Sequence, residues 1–111
     1  MQSRLELHSE LCRILGTKNV YYQPPESIRM KYPAIVYDLE SIENIFSGNT
    51  IYLQKCLYRV IVVDSDPDSE AVKKMSMLPR CKYIKHYIAD NLNHDVFRIS
   101  VDEKTVERII M

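Results

Sequence analysis

The residues best suited to chemistry lie towards the C-terminal end: Asp90, Asn91, His94 and Asp95, with His86 shortly before them. Two imidazoles and two carboxylates in so short a span could hold a divalent cation or relay a proton. Asx-type bonding explains the same residues without a ligand, because Asn and Asp side chains close turns against their own backbone. A second acidic set, Asp64, Asp66 and Asp68, alternates as the first ligands of a calcium loop do. That loop needs Gly at its sixth position and an acid at its twelfth, where this chain has Ser69 and Met75, so the metal reading fails. A helix start accounts for the same run: Asp66 as cap, Pro67 in first position, Asp68 and Glu70 at the positive end of the dipole. His8 has no second ligand at helical spacing. Cys12, Cys56 and Cys81 fit neither a zinc module nor a secreted disulfide framework, and read as reduced core thiols of a cytoplasmic protein. Gly16 and Gly48 are the only glycines, so no phosphate-cradling loop can be written. The expectation is a protein without catalytic residues, metal or cofactor.

The elements that position these residues follow from periodicity. Ser3-Arg4-Leu5-Glu6 is a capping box, and Leu5, Leu11, Cys12 and Leu15, widened by Ile14, predict a helix over 4–15 that ends at Gly16. Val20, Tyr21, Tyr22 and Gln23 form a short strand stopped by Pro24-Pro25, which places it at a sheet edge. Tyr32-Pro33 leads into a second strand over 34–39. The polar run Glu40 to Asn49, with its turn signal Ser47-Gly48-Asn49, reads as a protruding hairpin loop. The stretch 51–63 is the longest strand, with Tyr52, Cys56, Tyr58, Val60 and Val62 on one face and Lys55 and Arg59 on the other. A second helix over about 67–78 turns Ala71, Val72, Met75 and Leu78 inward, and Pro79 ends it. Cys81 to Val101 is a hairpin whose reversal, within Asp90, Asn91, Leu92 and Asn93, closes a loop of about four to six residues. Its first arm sets Tyr83, Lys85 and Tyr87 against Lys82, Ile84, His86 and Ile88. Residues 1–101 thus predict one α+β domain: an antiparallel, possibly mixed, sheet of about four to five strands with two helices on one face. Residues 102–111 are a C-terminal extension that fits a short helix or a further strand.

Lys plus Arg equals Asp plus Glu, giving a formal net charge of zero. That balance lacks the cation excess of strong sequence-independent nucleic-acid binding and removes a barrier to self-association. No apolar run reaches the ~18 residues of a membrane span, and the first residues lack the apolar core of a signal peptide, so a soluble, unexported protein is expected. Eight tyrosines without a tryptophan, all in or beside β runs, exceed what a core of this size absorbs. Large, partly polar surfaces of this kind suit protein interfaces. A small nucleic-acid-binding α+β module, with Lys82, Lys85 and Arg98 between stacking aromatics, is the alternative.

Four motifs taken together, YYQPPES at 21–27, YPAIVYDLE at 32–40, DSDPDSE at 64–70 and HYIADNLNHDVF at 86–97, resemble the tail-completion or tail-terminator proteins of long-tailed bacteriophages. The resemblance spans about residues 3–101. It implies a non-enzymatic virion protein forming a homo-oligomeric ring, commonly hexameric, on the head-proximal end of the tail tube. Its expected partners are the tail tube protein and the head-completion or connector protein, with DNA passing through unbound and no membrane contact. Its expected place is the head–tail interface of the virion, reached from the host bacterial cytoplasm during assembly. A ring needs two different complementary patches on each copy. The candidates are the edge strand with Tyr21, Tyr22 and Gln23, and the hairpin with Asp90, Asn91, Leu92, Asn93 and His94. Glu40, Glu43, Asn44, Ser47, Gly48 and Asn49 form the candidate loop facing tube or lumen, where acidic residues would let DNA slide by like-charge repulsion.

Overall fold

Leu7 and Leu11 lie one helical turn apart and are both fully buried, which fixes the inner face of the first helix, α1 (Arg4–Leu15). The bounds are those expected, but the inner stripe is turned. Leu5, expected inside, is 67% exposed, because Leu7, Leu11, Ile14 and Leu15 make a fuller i, i+4, i+7, i+8 set. Gly16 closes the helix in the left-handed region at φ +82 and donates its N–H to the Cys12 carbonyl at 2.9 Å. The computed structural model describes residues 4–103. Ser3 as helix cap and residues 104–111 of the extension lie outside the described residues, whereas Asp102 and Glu103 continue the last strand.

The strands are β1 (Val20–Tyr22), β2 (Ala34–Ser47), β3 (Thr50–Asp64), β4 (Cys81–Ala89) and β5 (Leu92–Glu103). Among the described residues they form one five-stranded sheet in the order β1-β2-β3-β5-β4. β1 runs parallel to β2 and the other neighbours are antiparallel, so the sheet is mixed and the fold is α+β. β1 stops where Gln23 turns to φ 45 ahead of Pro24. Directly paired residues share a face, and Ile35, Tyr37, Tyr58, Val60, Val62, Phe97, Ile99 and Val101 all lie on one. Leu7, Leu11, Ala71 and Met75 of the two helices join them in a single core. The helices therefore cover one face, and burial of these side chains at ~25 cal/mol per Å² is what holds the layers together.

Three local expectations are corrected. The second helix, α2, spans Glu70–Ser76 rather than running from Pro67 or Asp68 to about Leu78. Asp64 and Asp66 instead accept the N–H groups of Asp66 and Asp68, both at 2.9 Å, so the acids close two successive Asx turns and Ser69 takes the cap position. The run Glu40 to Ser47 is strand and not loop, paired to β3 as far as Ser47↔Thr50. Polar residues there do not break the ladder, since a ribbon outside the core needs no apolar face. Only Gly48 and Asn49 turn, with positive φ at Gly48 alone, as in a type II′ turn. The β4–β5 connection is likewise two residues, Asp90 and Asn91, at φ 53 and 61. That is the type I′ pattern, which matches the right-handed strand twist better than a type I or II turn.

β3, 15 residues long, extends ~50 Å at ~3.3 Å per residue, matching the longest dimension of the molecule, 50 Å. The distal parts of β2 and β3 therefore project as an arm, flanked by β5 as far as Gln54 and, among the described residues, two-stranded only from Ile45 to Leu53.

Candidate functional site

Pleat parity decides the fate of the polar cluster at the β4–β5 hairpin. His86 pairs with Asp95 on the helix-covered side of the sheet, whereas His94 pairs with Tyr87 on the opposite side. The His86 ring nitrogen Nε2 lies 3.1 Å from Asn93 Oδ1, and Asp95 accepts a bond from the Tyr83 hydroxyl at 2.7 Å. His94 donates through Nδ1 to the Leu92 carbonyl at 3.0 Å and stacks on Tyr87 with centroids 4.7 Å apart. The side chains that looked able to share an ion are each taken up locally, and among the described residues no three His, Cys, Asp or Glu side chains gather as a metal site. Partial burial and the bond to Asp95 push the Tyr83 phenol up to about 12, since both penalise a phenolate.

The first arm of this hairpin does not alternate as expected. A bulge between Tyr83 and Lys85 shifts the register, so Tyr83 pairs with Phe97 on the helix-covered face while Lys85 pairs with Val96 on the opposite one. Tyr83 and Lys85, expected on one side, thus lie on opposite sides. Tyr83 meets Phe97 edge-on at 5.1 Å. No run of residue types marks such a bulge in advance.

The two expected patches stand on opposite edges of the sheet, β1 at one and the β4–β5 hairpin at the other. Within the first patch, Tyr22 is a packing residue, 4.8 Å from the Tyr37 ring and beneath the Arg4 guanidinium at 4.4 Å. Tyr21 is half-buried and accepts the Lys31 N–H, and Gln23 is exposed. Asp90 and Asn91 are exposed at the hairpin tip, whereas Leu92, Asn93 and His94 belong to β5 and are half-buried. Asn93 donates across to the Asp64 carbonyl at 3.2 Å, tying the hairpin to the end of β3.

The arm holds the residues assigned to a tube- or lumen-facing loop. Glu40 sits at a bulge between Leu39 and Ser41 and accepts a bond from Arg98, which holds its carboxyl below the usual range. Asp38 is joined to Arg59 at 2.9 Å, and Glu43 stands opposite Lys55. Asn44 accepts from Gln54 at 3.1 Å. The acids expected to present bare negative charge are therefore interleaved with cations from β3 and β5.

The surplus of tyrosine pointed to exposed interface surface, but the apolar groups Ile42, Ile45 and Phe46 were missed in the sequence because they lie in a run read as a loop. Ile42, Ile45, Phe46 and Tyr52 are exposed on the arm, and Tyr83, Ile84, Tyr87 and Ile88 on β4. These are eight of the twelve exposed large hydrophobic side chains among the described residues, and such clustering marks interaction surface. What fold and site define is an α+β domain with helices on one sheet face, two unpaired sheet edges among the described residues and a projecting β arm. No protein-family model and no curated protein matches the chain.

Proposed function

We propose that this chain is a structural assembly protein, a tail terminator of a long-tailed bacteriophage. It closes into a ring, commonly sixfold, at the head-proximal end of the tail tube, ends tube growth and joins the tail to the head connector. One observation carries the assembly reading: the gathering of exposed apolar side chains on the arm and on β4, at the two sides of the sheet. A subunit that meets different neighbours through different surfaces needs such separated patches. The particular assembly comes from the resemblance of the four sequence motifs. The arm, with Glu40, Glu43, Asn44, Ser47, Gly48 and Asn49, is the part that reaches the tube or faces the lumen. Its charges alternate in sign, so DNA passing by meets no continuous cationic track.

Light scattering on the purified chain, alone and with isolated tail tubes of the phage that encodes it, tests this reading. The expected result is a ring-sized mass, or a monomer that binds tube ends and stops their growth. A chain that stays monomeric and leaves tube length unchanged would overturn it.

A further inference from the structure

We infer that copies of this chain join edge to edge, β4 of one copy adding antiparallel to the outer edge of β2 in the next. The inference rests on the ring reading above and names the surfaces that would make the ring.

The two edges match in length. β1 covers β2 only from Ile35 to Tyr37, which leaves the ten residues Asp38 to Ser47 open on that side among the described residues. β4 has nine residues and is the other outer strand. They also match in charge. β2 carries Asp38, Glu40 and Glu43 and no cation, whereas β4 carries Lys82 and Lys85 and no acid, with Arg80 just before it. The formal net charge of zero conceals this division between opposite edges. Arg59 and Arg98 hold Asp38 and Glu40 through one carboxylate oxygen each, and an ionised carboxylate accepts several donors. The acids are thus positioned while retaining capacity for a neighbour's lysines. Exposed apolar groups accompany both charge sets, with Phe46 62% exposed on the arm and Ile88 68% exposed on β4.

The stagger between the edges fits closure. Lys85 is level with Val36 through Val96 and Ile61, while the open part of β2 is centred on Ile42 and Glu43. That offset of six to seven residues is ~20 Å along the strands, against ~19 Å across the four strand spacings from one β2 to the next. Copies displaced in that ratio have strands tilted ~45° to the ring axis, at the upper end of the ~35–45° that closed sheets adopt. β2 and β4 run in opposite directions within one sheet, so a rotation about the ring axis brings them together antiparallel. Lysines and bulges on open edges discourage indiscriminate pairing, and an acidic partner edge relieves the lysine repulsion selectively.

Charge reversal in the full chain tests this. Lys82→Glu with Lys85→Glu makes both edges acidic, and Glu40→Lys with Glu43→Lys makes both basic. With circular dichroism showing intact folds, each double variant alone should assemble roughly tenfold or more weakly on tube ends or in solution. An equimolar mixture of the two, or one chain with all four substitutions, should recover assembly. Wild-type-like assembly by both double variants would overturn edge pairing and leave the ring reading standing. Loss without recovery on mixing would also overturn it. If reversal at β4 abolishes duplex DNA binding but leaves assembly unchanged, that edge is a nucleic-acid surface and the inference fails. A wild-type chain that neither associates nor binds tubes removes the ring reading itself.

Discussion

Replacing Tyr37 with Phe deletes one oxygen and leaves the rest of the core in place, so its effect isolates a single polar device. Tyr37 is 1% exposed, and its ring packs 4.8 Å from Tyr22 and 6.0 Å from Tyr58, contacts that Phe keeps. Its hydroxyl lies 2.7 Å from His8 Nδ1 and accepts a bond from the Arg4 guanidinium at 3.2 Å. Burial, then the Arg4 charge, lowers the His8 pKa, and burial raises that of Tyr37. Near neutral pH a protonated phenol therefore donates to a neutral imidazole while Arg4 donates to the phenol. Arg4 and His8 are both half-buried, so water takes over part of what each loses. One such bond contributes ~0.5–1.5 kcal/mol and the phenol makes two, so the substitution should cost ~1–2 kcal/mol. For a domain of this size the midpoint should fall by ~5–10 °C. Urea unfolding followed by circular dichroism at pH 7.5 measures it, with the denaturant slope unchanged. A loss below ~0.5 kcal/mol, or a gain, would refute the reasoning and leave α1 anchored by apolar contact alone.

The same histidine implies a pH dependence. Its folded pKa lies below the ordinary 6.5, so the unfolded chain takes up the proton first and stability falls as pH drops from about 6.5 towards the lowered folded value; His8→Gln should flatten that slope in urea titrations. Phe97 is fully buried at the centre of the sheet, and Phe97→Ala should cost ~3–5 kcal/mol in the same assay. Phe46, 62% exposed on the arm, should behave oppositely: Phe46→Ser should change stability by under ~0.5 kcal/mol while sedimentation reports weaker assembly on tubes. Burial pushes the Cys81 thiol up to about 11, so brief iodoacetamide treatment at pH 8 should leave it unmodified by mass spectrometry.

Periodicity and turn chemistry alone specified much of this protein. The bounds of α1, the start of β2 after Tyr32-Pro33, the buried face Cys56, Tyr58, Val60 and Val62, and an edge position for Val20 to Tyr22 are all written in local residue types. Those features depend on side-chain alternation and backbone preference within a few residues, which a linear chain displays. What only the tertiary structure decided involves pairing at a distance. The polar run Glu40 to Ser47 became strand because β3 supplies its hydrogen bonds, and a ladder partner outweighs weak local β preference. His86 and His94 parted because pleat parity sends neighbouring positions to opposite faces, and the bulge at Tyr83/Lys85 reversed that parity along one arm. The division of charge between two sheet edges is likewise invisible in a chain of net charge zero. It exists only once strand order places β2 and β4 on opposite sides, because strand order is set by long-range burial and not by local sequence.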